Sequence, residues 1–141
     1  MAMQDLLYKD LAYKIVGCFY AVYNTLGPAY KEQIYHRALK REFKSKRILF
    51  SEEKRLRIKY KGENIGVYAP DFIVDDKIII EIKSVLQMPK VFEKQLYYYL
   101  KGSKYKLGYL VNFGADKLDI RRRIYDTVRK NNPRELALDS Q

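Results

Sequence analysis

Residues 69–84 read APDFIVDDKIIIEIKS, the most strand-prone stretch of the chain and the one whose pairing most restricts the fold. Two arms rich in Phe, Val and Ile flank Asp75-Asp76-Lys77, which reads as a turn, so the segment is a β-hairpin. Its register decides where three charges point. A two-residue turn at Asp75-Asp76 would set Val74 opposite Lys77 and Asp71 opposite Ile80, mixing charged and apolar side chains. A three-residue turn that includes Lys77 pairs Val74 with Ile78, Phe72 with Ile80 and Asp71 with Glu81. Only the second register sorts the faces. Phe72, Val74, Ile78, Ile80 and Ile82 then share one side, and Asp71, Glu81 and Lys83 share the other.

Two carboxylates opposite one another across strands repel, so an Asp71/Glu81 pair needs compensation. Lys83 supplies some, and a divalent cation would supply more. Mg²⁺ takes a few carboxylate oxygens and keeps its other positions for water and phosphate oxygens, which suits hydrolysis at phosphorus. Lys83 would then orient the attacking water or neutralise developing charge. The plainer alternative is an exposed Asp/Glu/Lys cluster on the wet face of a sheet.

The flanking segments supply layers for this hairpin. Leu7, Leu11, Ile15, Cys18, Val22 and Leu26 form one stripe of a helix over residues 5–26, which Gly27 and Pro28 end. A second helix is expected over 31–46, with Tyr35, Ala38, Leu39 and Phe43 inward and Lys40, Arg41, Lys44 and Lys46 outward. In KRLRIKY, Leu56, Ile58 and Tyr60 alternate with Arg55, Arg57 and Lys59, the period of a half-buried strand with a basic face. A turn at Lys61-Gly62-Glu63 leads into a strand over 65–74 and then the hairpin's second arm at 78–83, making a three-stranded antiparallel meander. A helix over 88–100, a buried strand over 107–113 and a strand or short helix over 120–128 follow. The expected fold is α/β in the order α-α-β-β-β-α-β, a single domain over 1–130 with a polar tail, NNPRELALDSQ, over 131–141.

The balance of 28 Lys+Arg against 17 Asp+Glu, a net charge of +11, attracts polyanions, nucleic acid first among them. The single cysteine, Cys18, lies on an apolar stripe and fits a core position in a reducing cytoplasm. Asp5, Lys9, Asp10 and Lys14 interrupt the N-terminal residues, so no signal peptide is expected, and no window resembles a membrane span.

Pro70-Asp71, with Glu81-Ile82-Lys83 beyond it, resembles the PD-(D/E)XK motif of the restriction-endonuclease-like nucleases. LGPAYKEQIY, residues 26–35, is similar to the signature of the GxxExxY branch of that superfamily: Glu32 and Tyr35 fill its Glu and Tyr positions, while Ala29 stands where the motif has glycine. EKQLYYYLK (93–101) resembles the glutamine-bearing helix of the family and LGYLVNFG (107–114) its next strand. The resemblance implies a central mixed sheet flanked by helices, a nuclease acting on DNA or less readily RNA, and Mg²⁺ (or Mn²⁺ in its place) as cofactor. Asp71 and Glu81 would be metal ligands, Glu32 a further acid reaching the metal, Lys83 the catalytic lysine and Gln95 a pocket residue.

Each residue also has a plainer reading. Glu32 complements a helix dipole, Tyr35 packs while its hydroxyl holds Glu32, Gln95 is a solvated amide, and His36, the sole histidine, is a surface residue. Arg55, Arg57, Lys59 and the run Arg121, Arg122, Arg123 either track a phosphate backbone or form solvated faces. Two other functions compete: a non-catalytic module that binds nucleic acid or a protein partner, and a homodimer that cuts branched DNA like the related junction resolvases.

Overall fold

The computed structural model describes residues 7–125. The end of the last expected element, over 126–128, and the polar tail over 131–141 lie outside the described residues, as do residues 5 and 6 of the expected first helix. The elements are α1 (Lys9–Leu26), α2 (Glu32–Ser45), β1 (Phe50–Glu52), β2 (Leu56–Tyr60), β3 (Glu63–Tyr68), β4 (Phe72–Val74), β5 (Ile78–Lys83), α3 (Lys90–Lys101), β6 (Leu107–Asn112) and β7 (Asp119–Ile124).

Five strands form one sheet in the order β1-β4-β5-β6-β7. β5 and β6 run parallel and the other neighbours antiparallel, so α3 is the crossover that a parallel pair requires. The hairpin takes the three-residue turn: Val74 pairs with Ile78 and Phe72 with Ile80. Asp75 and Asp76 occupy left-handed conformations at φ 51° and 50°, which Asp tolerates better than most residues.

Both faces of the sheet are covered. On one, Ile15, Phe19 and Val22 of α1 and Tyr35, Leu39 and Phe43 of α2 pack on Phe72, Val74, Ile78, Ile80 and Ile82. On the other, Leu96 and Leu100 of α3 pack on Ile73, Ile79 and Leu110. The side that carries Glu81 and Lys83 is therefore roofed by α3, and the wet-face reading of that cluster gives way to a half-buried group at the end of a buried layer. Burial on both sides also explains why four of the six residues of β5 are isoleucine. The approach of α3 is close: a Cβ on Gly108 would come within 2.8 Å of Leu96 Cδ1.

The expected three-stranded meander divides in two. β2 and β3 pair only with each other, as a separate two-stranded sheet, and the strand expected over 65–74 breaks at Ala69-Pro70-Asp71 before joining the main sheet as β4. Pro70 has no N–H to give a ladder, so pairing stops there and the chain changes sheets. The partner of β4 is instead β1, a three-residue edge strand that the sequence pattern did not announce. β7, left open between strand and helix, is an antiparallel strand beside β6.

Candidate active site

The ladder between β4 and β5 ends at Phe72 and Ile80, and beyond it side chains replace backbone pairing. The Asp71 N–H donates to Glu81 Oε1 at 3.2 Å, and the Ile82 N–H donates to Asp71 Oδ2 at 2.8 Å. Asp71 and Glu81 are thus joined across the hairpin through backbone N–H groups, next to the Phe72/Ile80 pair of the expected register. Burial pushes Glu81 up from its ordinary 4.5 to about 7, and the neighbouring Asp71 charge adds to the rise. Tyr68, Lys83 and the Asp71 N–H pull the other way without cancelling it.

Lys83 lies two residues past Glu81 on the same side of β5, its ammonium 4.4 Å from the centre of the Phe92 ring of α3. The segment after it is pinned by Asn112, a fully buried amide. Asn112 Oδ1 accepts from the N–H groups of Val85 and Gly114, both at 3.0 Å, and its Nδ2 donates to the Val85 carbonyl at 2.9 Å. Phe113 N–H adds a bond to the Lys83 carbonyl at 2.9 Å.

Glu32 opens α2 and lies within electrostatic reach of the same group. Although the residue is largely exposed, burial of its carboxyl raises its pKa; Lys83 lowers it and Asp71 raises it, so all three charges sense one another. Its loop is held by Tyr35, though not in the expected way. The Tyr35 hydroxyl donates to the Gly27 carbonyl and accepts from the Tyr30 N–H at 3.2 Å, instead of holding Glu32, while its ring stacks on Phe113 with centroids 4.6 Å apart. Ser84 Oγ ties the same loop to the end of β5 by donating to the Tyr30 carbonyl at 2.6 Å.

His36 is not a surface residue. Its ring stacks on Phe72 with centroids 4.2 Å apart, Nδ1 lies 3.3 Å from Asp71 Oδ1, and Nε2 lies 2.9 Å from Glu52 Oε1. Lys40 closes the chain at 2.8 Å from Glu52 Oε2, and its hydrogen bond holds the Glu52 carboxyl below the usual range. Glu32, His36 and Lys40 stand at steps of four along α2, so they share a face, a signal present in the sequence. A second unexpected neighbour is Tyr68. Its buried hydroxyl meets no partner in hydrogen-bond geometry, yet it lies close enough to Glu81 that each perturbs the other.

Gln95 is exposed on α3, one turn along from Phe92. Arg121 is paired with Glu93 and Asp119, and Arg123 with Glu93, so these two brace β7 against α3. Arg122 faces α1 beside Asp10 and Tyr13. The run Arg121 to Arg123 is thus split between opposite faces of the sheet and does not form one cationic track. Arg55, Arg57 and Lys59 are exposed on or beside the β2–β3 ribbon.

The donors themselves show whether a divalent cation suits this site. Among the described residues no three His, Cys, Asp or Glu side chains are already gathered around a common point. Mg²⁺ does not require that: one or two carboxylates suffice, with water and phosphate oxygens completing the shell. Asp71 and Glu81 provide such a pair of hard oxygen donors, and a bound cation would offset both causes that lift the Glu81 pKa, its burial first and the neighbouring Asp71 charge second. The set fits.

A mixed sheet whose central hairpin ends in Asp, Glu and Lys, covered by helices on both faces, is a restriction-endonuclease-like α/β fold. The sequence profile of the PD-(D/E)XK nuclease superfamily matches residues 9–123, and the chain belongs to that superfamily. Among solved structures it is similar to an alkaline exonuclease (LHK-Exo) from Laribacter hongkongensis, at 16% identity and a TM-score of 0.48 over 68% of this chain and 56% of that one. It is also similar to SSO0001, at 24% identity and a TM-score of 0.49 over 77% of this chain and 58% of that one. The chain spans little more than half the length of either structure. No curated protein matches it. No helix among the described residues is long and apolar enough to cross a membrane.

Proposed function

We propose that the chain is a nuclease dependent on Mg²⁺ or Mn²⁺ that hydrolyses phosphodiester bonds, of DNA in preference to RNA, and that it stands in the GxxExxY branch of its superfamily. The observation that carries the reading is the contact of Asp71 with Glu81 at the end of the hairpin, with Lys83 on the same side of β5 and Glu32 within electrostatic reach. Asp71 and Glu81 would hold the cation and Glu32 would assist through water. When bound, the ion supplies an acidified water and charge stabilisation at phosphorus.

The chain's own groups do the rest. His36 and the Ile82 N–H fix the two oxygens of Asp71, so its orientation is set before substrate arrives. Asn112 and Phe113 hold the backbone around Lys83, whose ammonium offsets negative charge as the attacking oxygen approaches. The roof of α3 limits water on this side, which strengthens each of these interactions.

The test is a cleavage assay on single-stranded, duplex, overhanging and branched DNA and on RNA, with Mg²⁺ or Mn²⁺ and with chelator. Asp71→Ala and Lys83→Ala should each lower the rate by at least about a hundredfold. Activity surviving both substitutions would sink the assignment. Salt-sensitive, metal-indifferent binding without cleavage would favour a non-catalytic module instead.

A further inference from the structure

The β2–β3 ribbon leaves a groove of about 480 Å³ between its strand β2 and the C-terminal half of α3. Leu56 and Ile58 give it an apolar wall, Arg57 and Lys59 a cationic one, and Tyr98 and Tyr99 face them from the helix. Of residues 54–61, KRLRIKYK, five are Lys or Arg and none is acidic. Tyr98 is 42% exposed, with the Lys101 ammonium 5.6 Å from its ring centre. At the inner end Tyr68 stacks on Tyr99 with centroids 3.6 Å apart, and the same Tyr68 borders Glu81. One side chain, Tyr68, therefore borders both the groove and the proposed metal-binding carboxylate Glu81.

We infer that this groove seats an unpaired stretch of the nucleic-acid substrate, with a base stacked on Tyr98 and backbone phosphates on Arg57 and Lys59. The inference rests on the nuclease reading and deepens it, because it makes a single strand, a flap or an overhang the preferred substrate. Charge complementarity points to a polyanion, and the interleaved tyrosines point to exposed base faces, which a duplex conceals. Size agrees: a cavity of this volume holds one or two nucleotides, and a duplex would have to lie across its mouth.

The experiment measures binding of labelled DNA to the full chain by fluorescence anisotropy, with Asp71→Asn present to suppress cleavage. The probes are a single strand, a blunt duplex and the same duplex with a single-stranded overhang. Single strand and overhang should bind roughly tenfold more tightly than the blunt duplex. Tyr98→Ala should weaken them by roughly 5- to 100-fold, Tyr98→Phe should not, and the blunt duplex should be indifferent to both. Lys59→Ala should lower the salt slope for the single strand by about 0.7. Tyr13→Ala, an exposed tyrosine of α1, should leave every affinity unchanged. Equal affinity for strand and duplex, or wild-type binding by Tyr98→Ala, would overturn the inference. Binding through Tyr98 by a wild-type chain that cuts nothing would uphold the groove and remove the nuclease reading. Metal-dependent cleavage indifferent to Tyr98→Ala and to overhangs would do the reverse.

Discussion

His36 bridges two acids, with Nδ1 3.3 Å from Asp71 and Nε2 2.9 Å from Glu52, while its ring lies flat on Phe72. Stacking fixes the ring plane and the two acids fix its rotation, so the imidazole has little freedom. It in turn holds one oxygen of the aspartate proposed to bind metal. Partners of this kind set ligand orientation, and their loss commonly costs 10- to 100-fold in metal affinity. His36→Ala should therefore lower Mn²⁺ affinity by roughly 10- to 100-fold, read by calorimetry on chelator-stripped protein. Unchanged Mn²⁺ affinity would show that Asp71 needs no such support.

Glu81 has a pKa of about 7 in the folded chain against an ordinary 4.5. Between these values the folded state keeps a proton that the unfolded state has released. The stabilisation is full below pH 4.5 and is lost as pH rises through 7. Its size is on the order of 3 kcal/mol. Denaturant titrations of the chelated protein should show stability falling across this window, and Glu81→Gln should flatten the fall. Added Mg²⁺ should stabilise the wild type more above the window than below it. Superimposable pH profiles for wild type and Glu81→Gln would refute the assigned burial of this carboxyl.

What the sequence disclosed follows from how local each cause is. The hairpin register was readable because turn length and a period of two decide it within residues 71–82, and this alone brought Asp71 to Glu81. The α1 stripe was equally local: Ile15, Cys18 and Val22 are buried as spaced. β1 was not readable, because three residues carry no period and become a strand only by pairing with β4. The division at Pro70 had its signal in plain view, but the alternation on either side concealed it. Glu32 entered the site through family resemblance, since nothing in its neighbourhood specifies a carboxylate across the sheet. The setting of His36 and the braces made by Arg121 and Arg123 escape a local reading for one reason: Glu52, Asp71 and Glu93 are distant from them in the chain.

Asn112 is the one buried polar residue outside the apolar core among the described residues, and its amide bonds the backbone at Val85 and Gly114. Asn112→Leu keeps the volume but strands two N–H groups and a carbonyl away from water. The cost should be at least about 3 kcal/mol, visible as a lower urea midpoint. Because the same segment carries Lys83, kcat should fall while KM changes little. A variant as stable as wild type would mean that the loop re-forms around another donor set.

Arg121 provides the sharpest separation between bracing and binding. Its guanidinium spans Asp119, at 2.8 and 3.2 Å, and Glu93 of α3, with a quarter of the side chain accessible. A group so engaged has few donors left for phosphate, whereas Lys59 on the ribbon is exposed. Arg121→Gln should therefore destabilise the fold by about 2 kcal/mol, because it removes the charged bonds to Asp119 and Glu93 and leaves Arg123 alone to tie β7 to α3. At temperatures where the variant remains folded, its salt slope for single-stranded DNA should equal that of the wild type. If the slope instead drops by about 0.7 with stability intact, Arg121 contacts the strand directly and the brace between α3 and β7 contributes nothing to stability.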